Sequence, residues 1–245
     1  MEKVIYVAEL DQDIDDLIAV EYLNTLGFLR EIVLDPKPTT KEGLDRVNML
    51  ENKGIKVSDK IPQDAKVVFV GGALTSVANF LRFNGKLDLL VMNGGFVGSN
   101  IVSPEDQLDK FKNKVYVRTF NFNVDAFSTN EVLRASEDKI KQIVLVGKNV
   151  CHSIKNTKIG IWKNNFVKDI LDKYHVKDEK RQHDVLACHE GLIFAQLLKE
   201  PLMCQYADVY PITKDGLQGN MTQWGSTKNP KSTIYRKVTS AYRFK

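Results

Sequence analysis

The chain has 245 residues, of which 43% are hydrophobic and 27% charged, with a formal net charge of +4. This length supports one full α/β core, read here as a single domain over 1–245, and the composition excludes disorder and fibrous repeats. Acids and bases interleave without an aromatic-rich basic stripe, which argues against a nucleic-acid partner, and Lys228 to Lys245 reads as a solvated edge.

The first element is Val4 to Ala8, whose length and β-branched content predict a buried parallel strand. It delivers Glu9, Asp11, Asp13, Asp15 and Asp16, five acids within eight positions, before an apolar helical pattern runs on to Leu26. One acid suffices to cap a helix. Five held at a strand's C-terminal end repel one another unless a cation or raised pKa values relieve them, so the cluster reads as a site for a hard cation such as calcium or magnesium.

Further strands are predicted at Ile32 to Leu34, Val67 to Val70, Leu87 to Met92, Val115 to Val117 and Ile143 to Val146, with helices at Lys41 to Lys53 and Leu74 to Phe83 between the earlier ones. That alternation predicts an α/β fold with an open, mostly parallel central sheet flanked by helices. Several strands end in polar or glycine-bearing segments, including Gly71-Gly72, Asn93-Gly94-Gly95 and Gly147-Lys148-Asn149, so their ends gather at one rim. Val102 to Lys114 reads as a surface insertion, Lys155 to Leu198 as helical, and Asp208 to Tyr242 as short strands. Cys151, Cys188 and Cys204 are odd in number and widely spaced, which disfavours a zinc site or a disulfide framework and predicts a reducing, cytoplasmic setting. No signal-peptide pattern or membrane-length apolar run is present in the sequence.

Taken in order, several fragments resemble the inosine-uridine-preferring nucleoside hydrolase family, calcium-dependent enzymes that cleave ribonucleosides to free base and ribose. The family's Asp-X-Asp-Pro-Gly-X-Asp-Asp is similar to Glu9-Leu10-Asp11-Gln12-Asp13-Ile14-Asp15-Asp16, and its Gly-Pro-Leu-Thr-Asn to Gly72-Ala73-Leu74-Thr75-Ser76. Its Met-Gly-Gly and Gly-Asn resemble Asn93-Gly94-Gly95 and Ser99-Asn100; its Glu-Phe-Asn resembles Thr119-Phe120-Asn121. Its Val-Gly-Leu-Asp-Val-Thr-His resembles Val146-Gly147-Lys148-Asn149-Val150-Cys151-His152, and its His-Asp helix start resembles His183-Asp184.

The resemblance implies a nucleoside hydrolase-like fold and a Ca2+ shell made by Asp11, Asp16, Asp184 and the Gly71 carbonyl. It implies Asp11 as general base, His183 as general acid for the departing base, and Asp15, Asn93, Asn100, Asn121 and Asp184 as substrate-binding residues. His152 is expected to support its strand end and Trp224 to pack a hairpin. Relatives form homodimers or homotetramers, and a small-molecule nucleoside or nucleotide is the implied partner, in a salvage or nucleotide-degrading setting.

Two departures bear on the substrate. Thr119 stands where the family has a Glu that meets the sugar's 5′-hydroxyl, and Pro36 or Lys37 where it has a ribose-contacting Asn, so that Lys37 and Arg118 add cations. Losing an acid and gaining cations suits a 5′-phosphorylated ribonucleotide or a related ribosyl phosphate, the reading set beside hydrolysis of free nucleosides. A reading from another class is a non-catalytic calcium- or ribose-binding relative, motivated by Glu9, Thr119 and the altered Pro-Gly pair.

Overall fold

In the structure, a computed structural model, residues 2–153, 172, 182–229, 231 and 234–245 are described. The helical expectation over 155–198 therefore lies outside the described residues from 155 to 181, apart from residue 172. Strand β1 (Val4–Ala8) is buried at all five positions. Its neighbours are β2 (Leu29–Leu34) and β4 (Val67–Val70), both parallel to it. The short β3 (Val57–Ser58) lies beyond β2, and β5 (Leu87–Asn93) and β7 (Ile140–Val146) lie beyond β4.

The complete order is β3-β2-β1-β4-β5-β7-β10-β8-β9-β6. β10 (Val238–Phe244) is parallel to β7, whereas β8 (Cys204–Lys214), β9 (Gln223–Thr227) and β6 (Tyr116–Val117) join by antiparallel pairing. The sheet is thus mostly parallel, as expected, but the predicted strand at Val115 to Val117 sits at its far antiparallel edge instead of in the parallel core. Only two residues pair there, and their partner β9 arrives from more than a hundred residues downstream, beyond any local pattern.

Helices cover both faces, as the two-residue period of the strands requires. Val4, Tyr6 and Ala8 pack on the side of α1 (Asp15–Thr25) and α7 (His183–Phe194). Ile5 and Val7 point the other way, toward α3 (Thr75–Arg82) and α5 (Ala126–Leu133). Each fully buried aliphatic side chain in these layers contributes roughly 1.5–3 kcal/mol relative to exposure. Helix α2 (Lys41–Asn52) starts on Thr40, whose side chain accepts from Gly43 N. Among the described residues, α4 (Phe120–Val124) and α6 (Lys148–Cys151) are short helices at the strand ends. No helix among the described residues is long and apolar enough to cross a membrane.

The chain runs outward from β1 through β2 to β3, then returns to place β4 on β1's other side. The crevice between β1 and β4 is the switch point of an open α/β sheet, the place where such sheets bind ligands.

Candidate functional site

A cavity of about 430 Å³ opens at this switch point. Glu9, Asp13, Asp15 and Asp16 enter it from the end of β1, Gly71 from β4, Asn93 and Gly94 from β5, and Lys148, Cys151 and His152 from the end of β7. Thr119, Phe120 and Asn121 reach it from the start of α4, and His183 and Asp184 from the start of α7. The strand-end logic of the sequence thus brings together residues from six separate segments.

The acidic wall is built around Asp16, which is 3% exposed. Its Oδ1 accepts from the Tyr6 hydroxyl at 2.5 Å and its Oδ2 from the Glu9 backbone N–H at 2.9 Å. Glu9 in turn folds back, its Oε1 accepting from the N–H groups of Asp11 and Gln12. Burial pushes the Asp16 carboxyl upward, and the Tyr6 and Glu9 donors only partly offset that push. Asp184 beside it is pushed well up, first by burial and then by the charge of Asp16. Its Oδ1 is buried with no hydrogen-bond partner. Two neighbouring carboxyls both pushed up by burial, the second also by the charge of the first and with an orphaned oxygen, suit a cation site, because a cation relieves these penalties.

Asp15, His183 and Asp184 each offer one ligand atom, all within 4.8 Å of one another, and His183 Nδ1 stands 3.6 Å from Asp15 Oδ2. The residues present therefore fit a hard cation. Gly71 must lack a side chain, since a Cβ there would run into Asp16 Oδ1 and the Tyr6 hydroxyl.

The facing wall is made of amides and cations. Asn121 Nδ2 donates to the carbonyls of Gly71 at 2.5 Å and Asn93 at 2.9 Å, and Asn93 Oδ1 accepts from Cys151 Sγ at 3.3 Å. Thr119 is buried and its hydroxyl has no hydrogen-bond partner. Lys148 is half-buried on this wall, and its ammonium is pushed down, first by burial. His152 lines the cavity too, with its ring edge against Phe111.

Of the residues predicted for the site, Asp15, Asp16, Gly71, Asn93, Thr119, Asn121, His183 and Asp184 converge on the cavity. Four others do not. The Asp11 carboxylate turns to the start of α2, accepting from N–H and hydroxyl of both Thr39 and Thr40. Burial pushes it up, but these four donations together outweigh burial and hold its pKa at about 2. In this structure the Asp11 carboxylate is thus engaged at the start of α2, and Asp11 is not among the residues lining the cavity. Asn100 donates to the Ser226 carbonyl and lies away from the acidic wall. Lys37 pairs with Asp59 at 2.7 Å, both exposed. Arg118, adjacent to Thr119, points out instead and reaches Met221 Sδ.

The Gly71 carbonyl does lie at the cavity, although it is already an acceptor for Asn121. Trp224 is fully buried, its Nε1 donating to Asn123 Oδ1 at 2.7 Å, so it packs the hairpin as expected. Sequence reasoning passed over Tyr6, hidden as an ordinary member of an apolar strand, and Lys148, whose signal was a charge immediately beyond a buried strand.

This architecture, with its cavity at the β1/β4 switch point, is a nucleoside hydrolase-like fold. Among solved structures it is similar to the crystal structure of an inosine-uridine preferring nucleoside hydrolase from Bacillus anthracis, with a TM-score of 0.57 and 15% identity over 100% of this chain and 95% of that one. Among curated proteins, an uncharacterized protein of Aquifex aeolicus (strain VF5) is 28% identical over 177 residues, 68% of this chain. The match spans 56% of that relative's length. No known family's sequence profile matches the chain.

Proposed function

We propose that the chain is a metal-dependent N-ribosyl hydrolase, cleaving the N-glycosidic bond of a ribonucleoside or ribonucleotide to free base and sugar. The observation that carries this reading is the buried Asp184, with an orphaned oxygen, set beside Asp15, Asp16 and His183 in the switch-point cavity of a nucleoside hydrolase-like fold.

Glycosidic cleavage through an oxocarbenium-like sugar needs a held ribose, a deprotonated water and a protonated leaving base. Asp184 and Asp15, with Asp16 alongside, would hold the cation, and oxygen donors of this kind favour Ca2+. When bound, the cation supplies charge that lets the clustered carboxylates ionise and acidifies water. Asn121 and Asn93 orient the ribose hydroxyls from the facing wall. With Asp11 turned away, the water proton falls to Asp15, which makes no hydrogen bond to another described side chain and faces His183. His183 donates to the departing base, an imidazole being suited to protonate a ring nitrogen near neutral pH.

Support for a second reading, a calcium- or ribose-binding relative without turnover, comes from Asp11. Its carboxylate is committed to Thr39 and Thr40, which removes the base that the family resemblance implies. The three buried free cysteines suit a reducing cytoplasm, and a homodimer or homotetramer is the assembly proposed. Chromatographic release of base from a panel of ribonucleosides and 5′-monophosphates, with calcium present and with it chelated, decides between the two readings. Calcium-dependent release is the expected result; calcium binding with no release from any compound leaves the binding protein.

A further inference from the structure

The roles proposed above for the sugar and the cation leave Lys148 unexplained. It is drawn half into the protein, on the cavity wall. Neither it nor Lys110 has an ion-pair partner among the described residues. Lys110, from the 102–114 insertion, places its Nζ 3.5 Å from His152 Nδ1 and 5.7 Å from the Phe111 ring centre, and its charge adds to burial in disfavouring the Lys148 ammonium. Two lysines thus stand near one another without an ion-pair partner among the described residues, although carboxylates line the same cavity.

Lys110 is exposed, but the Lys148 ammonium is half-buried, and a half-buried charge is unfavourable unless an anion joins it. The second, independent sign is Thr119. Its residue is 3% exposed, it lines the same cavity, and its hydroxyl has no partner in the protein. An ammonium and an unpartnered hydroxyl on one cavity wall are donors suited to phosphate oxygens.

We propose that the substrate's ribose carries a phosphate, received by Lys148 with the Thr119 hydroxyl and with Lys110 and His152 behind it. This rests on the N-ribosyl hydrolase reading for its chemistry. It also relocates the phosphate recognition that the sequence assigned to Lys37 and Arg118, both of which point elsewhere. A cavity that holds both carboxylates and an ammonium orients a sugar phosphate, its phosphate toward Lys148 and its glycosidic carbon toward the acids.

Calorimetric binding of ribose 5-phosphate, ribose and inorganic phosphate to the full chain tests this without relying on turnover. The expected result is that ribose 5-phosphate binds about tenfold or more tighter than either of the others, that Lys148→Met collapses the ratio of ribose 5-phosphate to ribose affinity, and that Lys148→Arg largely restores it. Three results overturn the proposal: equal binding of ribose and ribose 5-phosphate, equal binding of inorganic phosphate and ribose 5-phosphate, or a ratio that survives Lys148→Met in a variant with native circular dichroism. Base release from 5′-monophosphates is then read separately. Phosphate-selective binding without release would retire the hydrolase reading and keep the phosphate site; release from nucleosides with no phosphate preference would do the reverse.

Discussion

The two walls of the cavity solve opposite electrostatic problems. On the β1 and α7 side, Asp16 and Asp184 are buried together, and the Tyr6 hydroxyl and Glu9 N–H at Asp16 and the Asn93 side chain at Asp184 offset their burial only in part. On the β7 side, Lys148 and Lys110 stand near one another without an ion-pair partner among the described residues. Each wall is short of the charge that the other holds in excess, yet they do not pair across the cavity. The separation is what makes room for a ligand, since collapsing the walls into salt bridges would satisfy both and bind nothing.

The largest effect should come from the acidic wall. Asp184→Asn removes the charge nearest the orphaned oxygen site and should lower kcat/KM by about a thousandfold, with calcium affinity falling in parallel by calorimetry. Intact turnover in that variant would mean that the wall is structural. Gly71→Ala forces a methyl against Asp16 and Tyr6, neither of which can retreat from a packed strand end. A loss of about 1–3 kcal/mol in denaturant unfolding is expected, together with loss of cation binding.

Tyr6→Phe is a finer probe of the same wall. It deletes a donor that favours the ionised Asp16, so the carboxyl should titrate still higher and the acid limb of the pH–rate profile should move to higher pH, with turnover down roughly tenfold. An unmoved limb would assign that limb to another group.

The smallest effect is expected at Asp11, and it separates the geometry from the family resemblance. Asp11→Asn should keep kcat within about threefold, because its carboxylate lies outside the cavity, and should cost about 1 kcal/mol through weakened contacts to Thr39 and Thr40. A general base in that position would instead lose several orders of magnitude. The folded pKa of about 2 lies below the unfolded value, so the stabilisation from Asp11 is present above roughly pH 4 and is lost as pH falls toward 2. The variant should therefore converge with the parent in acid unfolding over that window.

Much of the fold was legible because its signals are local. Val4 to Ala8 and Val67 to Val70 are short apolar runs closed by acids or glycines, and they appear as strands with those bounds. The site was legible at the level of which strand ends meet, but not of which side chains turn inward. Asp11 and Asp15 are equivalent in the sequence, two acids in one cluster. Thr39 and Thr40, 28 and 29 residues on, draw the first away from the cavity, while the start of α1 fixes the second inside it. Lys37 and Arg118 show a related limit: a place in or beside a matched motif says nothing of direction, and in the structure Lys37 meets Asp59 and Arg118 meets Met221. Tyr6 was invisible because burial explains an aromatic in a strand without reference to its hydroxyl.

The sheet's two outermost strands, β3 and β6, are each only two residues long. Eight longer strands are therefore flanked by edges too brief to template a further strand from another molecule. Brief margins of this kind are one of the ways in which an open sheet discourages edge-to-edge growth into fibres.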